Sequence, residues 1–394
     1  MRSIALTPCV QKIHAAPADT GLPSLPMDSM LSTFADRVRA AAADQTPLRI
    51  RGGGSKDFLA GADPGGEWLD MRPLAGIVSY EPSELVITAR AGTPLAELEA
   101  ALAEQNQCLP FEPPHFGPGA TVGGMVAAGL SGPARASVGA VRDYMLGVSI
   151  INGRGEPLIF GGQVMKNVAG YDVSRLMAGS WGELGVITGV SLKVLPVALA
   201  EATLAFECGQ AEALDRLNAW GGQPLPLNAS CWVEDQGSGR LYLRLRGAVA
   251  AVEAACRSMG GERQTSASVP ADWQDCREQR LPWFAQRAPQ LALWRLSLPQ
   301  TAPVLALPPG VAAPLVEWHG ALRWVQAESQ HGAALQELAR SVGGSASVFV
   351  AADADASSAG GTFSQISPAL QKIHARLRAA FDPVGIFQPS RIGR

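Results

Sequence analysis

The sequence predicts an α+β chain in two parts, a glycine-rich first lobe and a smaller second lobe built on an antiparallel sheet. Three observations carry that reading. Residues 117–195 hold glycine at Gly117, Gly119, Gly123, Gly124, Gly129 and Gly132 and again at Gly179, Gly182, Gly185 and Gly189, between apolar, strand-like runs. An upstream run, Arg51-Gly52-Gly53-Gly54-Ser55-Lys56, directly follows the strand-like Leu48-Arg49-Ile50. Beyond Pro196 the glycine loops stop and tryptophan becomes frequent, from Trp220 to Trp324. With 394 residues, 47% of them hydrophobic, the chain can bury more than one core.

In order along the chain, residues 1–28 have the Ala/Pro/Ser composition of a poorly ordered leader. Leu31, Phe34, Val38 and Ala41 then share one helical face, with Ser29 or Ser32 as cap. Leu85-Val86-Ile87-Thr88-Ala89-Arg90 reads as a buried strand. The next helix is expected to start with Thr93 as N-cap and Pro94 at N1, its stripe formed by Leu95, Leu98 and Leu102. Asn152-Gly153-Arg154-Gly155, between Val148-Ser149-Ile150-Ile151 and Pro157-Leu158-Ile159-Phe160, is a hairpin signal because Asn-Gly tolerates positive φ. Asp172 is placed to cap a helix over residues 173–178 with Gly179 at C′, or else to contact a ligand. In the second lobe Leu241-Tyr242-Leu243-Arg244-Leu245-Arg246 alternates with period two and residues 249–259 read as helix, which suits an antiparallel sheet with helices on one face. Residues 345–361 are low in complexity, and a last helix carries Leu370, Ile373 and Leu377.

Composition excludes several classes of function. A net charge of −3 and a pI near 6.0 leave no basic footprint for nucleic acid or an anionic membrane. Six scattered cysteines with no Cys-x-x-Cys argue against an iron–sulfur cluster or zinc ribbon, and fit thiols in a reducing compartment. No metal is expected. Neither a secretory h-region nor a run of ~18 apolar residues is found, so the expected location is cytoplasmic, with membrane association only peripheral and through partners.

A dense glycine run in ordered chain suggests positive φ or backbone pressed against a ligand. Successive N–H groups of residues 51–56 could form an anion-cradling nest, where each charge-assisted bond contributes about 1.5–3 kcal/mol. Thr121-Val122-Gly123-Gly124 precedes the helical start Met125-Val126-Ala127-Ala128, so the glycine N–H groups there could face an anion too. Neither set is a dinucleotide fingerprint or a Walker loop.

Taken together the segments resemble the flavoproteins related to vanillyl-alcohol oxidase and p-cresol methylhydroxylase. The likeness lies in Arg51 to Ser55, in Thr121 to Gly124, in Arg142-Asp143, in Gly170-Tyr171-Asp172, and in the Gly-Ser-x-Gly-x-x-Gly pattern that starts at Gly179 and ends at Thr188; it covers about residues 29–200. Within the family it extends to the FAD-binding subunits of bacterial glycolate oxidases, through Glu317-Trp318-His319-Gly320-Ala321-Leu322-Arg323-Trp324 and the tail Phe381-Asp382-Pro383-Val384-Gly385-Ile386-Phe387. The resemblance implies a two-lobed FAD-binding domain at 29–200, an α+β cap at 201–365, and a C-terminal segment, 366–394, returning to the FAD domain. There Gln388-Pro389-Ser390-Arg391 departs from the commoner Asn-Pro-Gly-Arg, so the backbone at Ser390 is expected to differ.

It also implies non-covalent FAD, since Ser55 and Lys56 stand where covalently flavinylated relatives often present histidine. The implied cofactor-binding residues are Arg51, Gly52, Gly53, Gly54, Ser55, Lys56, Pro118, Thr121, Val122, Gly123, Gly124, Ala128, Ser131, Gly132, Arg142, Asp143, Gly182, Glu183, Gly185, Val186 and Ile187. The implied activity is oxidation of a small 2-hydroxy acid, glycolate to glyoxylate, within a complex with a second flavin subunit and an iron–sulfur subunit. A flavin-stabilised interaction subunit, or a self-sufficient oxidoreductase on another alcohol or acid, are the alternatives. Such oxidation needs a base, a cation for the carboxylate and exclusion of water, and no catalytic residue is assigned. Only His319 and His331 lie in the cap, without a paired ligand motif. His115 faces either the cofactor or solvent, and Arg244, Arg246, Arg295 and Arg323 are carboxylate binders or solvated and interface cations.

Overall fold

A computed structural model describes residues 29–59, 65–162, 172–235, 237–353 and 367–387. The leader, Lys166-Asn167, Gly170-Tyr171, residues 354–361 of the low-complexity run and Gln388-Pro389-Ser390-Arg391 lie outside the described residues.

The first lobe has two parts. Helix Ser29–Asp44 buries Phe34, Ala35, Val38 and Ala41 against the parallel pair Leu48–Arg51 and Glu67–Asp70. Beside it stands an antiparallel sheet in the order Ile77–Glu81, Val86–Arg90, Val186–Lys193, Met145–Ile151, Pro157–Gly161. Leu95, Leu98 and Leu102 are fully buried against this sheet, each contributing about 2 kcal/mol by burial.

Three local readings need correction. Pro94 precedes helix Leu95–Glu104 without a side-chain cap. The Thr93 hydroxyl instead accepts from Gly76 N–H (2.9 Å) and donates to Arg90 O (2.7 Å), tying down the preceding loop. In the hairpin, positive φ falls at Gly155 (70°). Gly153 has a different role: a Cβ there would lie 2.5 Å from Asp382 Oδ1, and its N–H donates to Phe381 O (2.8 Å), so the C-terminal tail docks onto the turn. Asp172 Oδ1 accepts from Ser174 Oγ (2.7 Å) and Arg175 N–H (3.3 Å), but only the 3-10 turn Ser174–Met177 forms. Gly179 N–H then donates to Val126 O (3.0 Å), drawing the chain across to the helix Val122–Ala128.

Eight antiparallel strands form the second lobe, in the order Glu262–Gln264, Ala200–Glu207, Ser238–Gly247, Leu227–Asp235, Leu315–Glu317, Leu322–Ala327, Ala292–Ser297, Ser345–Val350. Leu241, Leu243 and Leu245 bury one face under helices Gln210–Gly221 and Val249–Met259. Helix Gly332–Ser341 covers the far end through Leu335 and Ala339. The helices are not confined to that face, because Val269–Arg277 packs Trp273 and Cys276 on the other, together with Phe116, Leu130 and Trp181 of the first lobe.

Polar contacts fasten this junction. Arg244, its side chain 4% exposed, pairs with Glu112 (2.6 Å) and bonds Asn228 Oδ1 (2.6 Å). Removing one member of such a desolvated pair would cost several kcal/mol. Trp318 Nε1–H donates to Gly132 O (2.9 Å), and the Glu278 carboxylate accepts from the N–H groups of His115 and Phe116 (2.7–3.1 Å). The tail returns to the first lobe: Phe387 bridges Leu48, and Asp382 accepts from Gly385 and Phe387 N–H.

Candidate functional site

A cavity of about 310 Å³ runs along the first glycine loop, the start of helix Val122–Ala128 and the turn at Gly182. The loop turns where Gly54 takes φ +73°, just beyond the end of strand Leu48–Arg51. Among the described residues, the N–H groups of Gly53, Gly54, Ser55 and Lys56 have no protein acceptor. Four adjacent donors without partners are costly unless water or a ligand accepts from them. Gly53 itself has no positive φ; it is required because its Cβ would fall on Gly119 O, where the two loops cross.

Cations gather at this loop. Lys56 donates to His115 O (3.2 Å) and Ser55 Oγ (3.3 Å), and burial, partly opposed by the Glu278 carboxylate, lowers its pKa to about 8. The Arg49 guanidinium stacks on Trp68 at 3.7 Å, while Arg51 pairs with Asp57 at 2.5 Å.

The helix start is not a second anion cradle. Val122 N–H donates to Thr93 O (2.9 Å), Gly123 N–H to Ala91 O (2.7 Å) and Gly124 N–H to Thr121 Oγ1 (3.2 Å), so all three groups are already used. Gly123 is needed for packing, since a Cβ would meet that of Ala91 at 2.6 Å. Gly124 and Ala128 line the cavity wall.

Of the residues named from sequence, Arg51 to Lys56, Thr121, Gly123, Gly124, Ala128, Gly182, Gly185 and Ile187 line this one cavity. Pro118, Val122, Ser131, Gly132, Arg142, Asp143, Glu183 and Val186 do not. Val122 and Val186 are fully buried in the packing around it. Ser131 and Gly132 line a narrow crevice with Glu317 and Trp318. Arg142 lines a different cavity, and the Asp143 carboxylate accepts from Ala140 N–H (2.8 Å), closing a turn. Glu183, 1% exposed, lies 3.5 Å from Arg378 of the last helix.

Sequence reading missed Arg49, Trp68, Trp181 and Phe387 as lining residues. Trp181 carried a usable signal, since it sits between the turn glycines and holds φ +54° while its N–H donates to Ala127 O (2.9 Å).

The other candidate groups are engaged elsewhere. His115 Nε2 lies 2.9 Å from Glu99. His319, buried and with its pKa lowered by burial to about 4, lies between Ser137 Oγ (2.9 Å) and Ser230 Oγ (3.0 Å). Arg246 pairs with Glu112 and Glu201, and Arg323 donates to Ala302 and Pro303 carbonyls. Among the described residues no group of His, Cys, Asp and Glu could hold a metal ion, and no helix is long and apolar enough to cross a membrane.

A two-part lobe whose glycine loop offers free amides beside a cluster of cations, capped by an antiparallel sheet, defines an FAD-binding flavoprotein of the oxidoreductase class, and residues 31–161 match the FAD binding domain family. The chain is 45% identical over 357 residues to the glycolate oxidase subunit GlcE of Escherichia coli, covering 91% of this chain and 95% of that one. It belongs to the family of that subunit. More distant similarity joins it to the glycolate oxidase subunit GlcD of Bacillus subtilis, 28% identical over 41% of this chain and 34% of that protein. The cytochrome-type mitochondrial D-lactate dehydrogenase of Arabidopsis thaliana is 32% identical over 34% of this chain and 23% of its own. In fold the chain is similar to an alkyldihydroxyacetonephosphate synthase, with TM-score 0.61 and 14% identity over 91% of this chain and 75% of that one.

Proposed function

We propose that the chain is the FAD-carrying subunit of a glycolate-oxidising complex, in which it works with a second flavin subunit and an iron–sulfur subunit. The observation that carries this reading is the row of unpaired amides from Gly53 to Lys56 in a cavity whose other wall is Thr121, Gly124 and Ala128. That donor set suits a pyrophosphate: neutral N–H groups bond its oxygens, and Lys56 supplies charge. We assign Arg51 to Lys56, Thr121, Gly123, Gly124, Ala128, Gly182, Gly185 and Ile187 to the cofactor groove. Bound FAD would supply a two-electron acceptor there.

This chain's own residues bind and orient the cofactor and, through the sheet lobe, exclude water from it. Of the groups able to prepare a hydroxyl or hold a carboxylate, His115 is committed to Glu99, His319 to two serines and Arg244 to Glu112, and none of the three lines the cofactor groove. On this reading substrate chemistry needs the partner subunits, and any membrane association comes through them. Co-purification of the tagged chain with both partners, followed by glycolate-dependent dye reduction of the assembly, tests the proposal. A chain that purifies alone from cells containing the partners would refute it.

A further inference from the structure

A second cavity, of about 330 Å³, opens between the two lobes and is lined by Arg135, Arg142, Arg295, Ser297 and Trp318. Arg135 and Arg142 come from two short helices of the first lobe, Arg135–Val138 and Val141–Tyr144. Arg295 comes from the sheet strand Ala292–Ser297 of the second. The guanidinium groups of Arg135 and Arg295 both lie over the Trp318 ring, at 4.5 and 5.2 Å from its centroid.

None of the three guanidinium groups has a hydrogen-bond or ion-pair partner among the described residues. Two carboxylates are near, yet both are used otherwise. Glu317 accepts from Trp324 Nε1–H (2.6 Å) and the Cys276 thiol (2.9 Å), and Asp143 accepts from Ala140 N–H. Burial lowers the Arg295 pKa to about 10, with Arg135 pushing the same way, and burial followed by Arg142 lowers that of Arg135. Like charges are thus held together at a partly desolvated junction, an arrangement that an anion would relieve. An arginine fork offers paired donors matched to the oxygens of a carboxylate or a phosphate. The Trp318 face favours the cations but supplies no acceptor in the plane of the guanidinium.

We propose that this cavity is a binding site for a small oxyanion, a carboxylate or a phosphate, held by Arg135, Arg142 and Arg295 and separate from the flavin groove. It takes Arg142 out of the cofactor-binding set. The site joins both lobes, so its occupation also stiffens their junction.

The test uses the full chain loaded with FAD, titrated calorimetrically with glycolate, oxalate and inorganic phosphate, with thermal unfolding followed in parallel. Saturable binding is expected, with a raised unfolding midpoint. Arg142→Gln should weaken it about tenfold or more, as loss of a charge-assisted contact does, and leave flavin content unchanged. Arg295→Met should do the same; should that half-buried change impair folding, the exposed Arg142 still carries the test. Binding of glycolate and oxalate without phosphate assigns a carboxylate site, and the reverse assigns a phosphate site. No saturable binding by any of the three, unaltered binding in Arg142→Gln, or loss of flavin from that variant would overturn the proposal.

Discussion

Gly53 is the position where flavin binding should be most sensitive to a single methyl group. A Cβ there would sit 1.5 Å from Gly119 O and 2.8 Å from Gly119 Cα, whereas real Cβ contacts do not fall below 3.0 Å. The two loops must therefore separate by at least the difference between 1.5 and 3.0 Å, and both partners are backbone, so no rotamer change can absorb it. Overpacking of that kind costs about 1–3 kcal/mol of stability. The larger effect is on binding. The amides of Gly53 to Lys56 would move by a distance comparable to half a hydrogen bond, and each charge-assisted bond lost is about 1.5–3 kcal/mol, or roughly ten- to a hundredfold in affinity. Gly53→Ala should thus purify largely without flavin, read as the ratio of visible flavin absorbance to protein absorbance, while far-ultraviolet dichroism stays near that of the parent. Gly221→Ala, where a Cβ meets nothing within 4 Å, is the control. Full flavin occupancy in Gly53→Ala would refute the assignment of this loop to the cofactor.

Lys56 predicts a pH dependence. Its ammonium is destabilised by burial and loses its proton at about 8 in the flavin-free chain. A bound anion favours the charged form, so binding takes up a proton and affinity falls as pH rises through about 8; fluorescence titration should show the slope, and Lys56→Met should flatten it. His319 has the opposite consequence for folding. Its pKa is lowered from 6.5 to about 4, so the unfolded chain holds the extra proton between those values. Its contribution to stability is then complete above about pH 6.5 and is lost as pH falls towards 4; an equally steep acid slope in His319→Gln urea melts would show that another group is responsible. Acid precipitation should release the flavin into the supernatant, and colour retained on the pellet would contradict non-covalent binding.

Much of this was legible because the signal was local. The stripe of Leu95, Leu98 and Leu102 needs only helical periodicity, and Asn152-Gly153 is a turn whose Asn152 Oδ1 accepts from Arg154 and Glu156 N–H within four residues. The errors came where a distant segment supplied the partner. Gly123 N–H looked free for an anion, but Ala91, thirty-two residues earlier, supplies its acceptor. Thr93 looked like a cap because its bond to Gly76 could not be read from spacing. Other neighbours were out of reach of spacing as well: Arg142, named with Asp143 from sequence, shares the lining of the second cavity with Arg295, which lies on the other lobe. Trp68 reached the cavity with no sequence signal beyond being aromatic.

The central claim, a flavin held by this chain but used only within an assembly, is tested most directly by anaerobic addition of millimolar glycolate to the purified, flavin-loaded chain, followed at the flavin absorbance. The account predicts little or no bleaching until the partner subunits are added, and then reduction. Rapid bleaching of the isolated chain would contradict it and make this lobe pair a dehydrogenase in its own right.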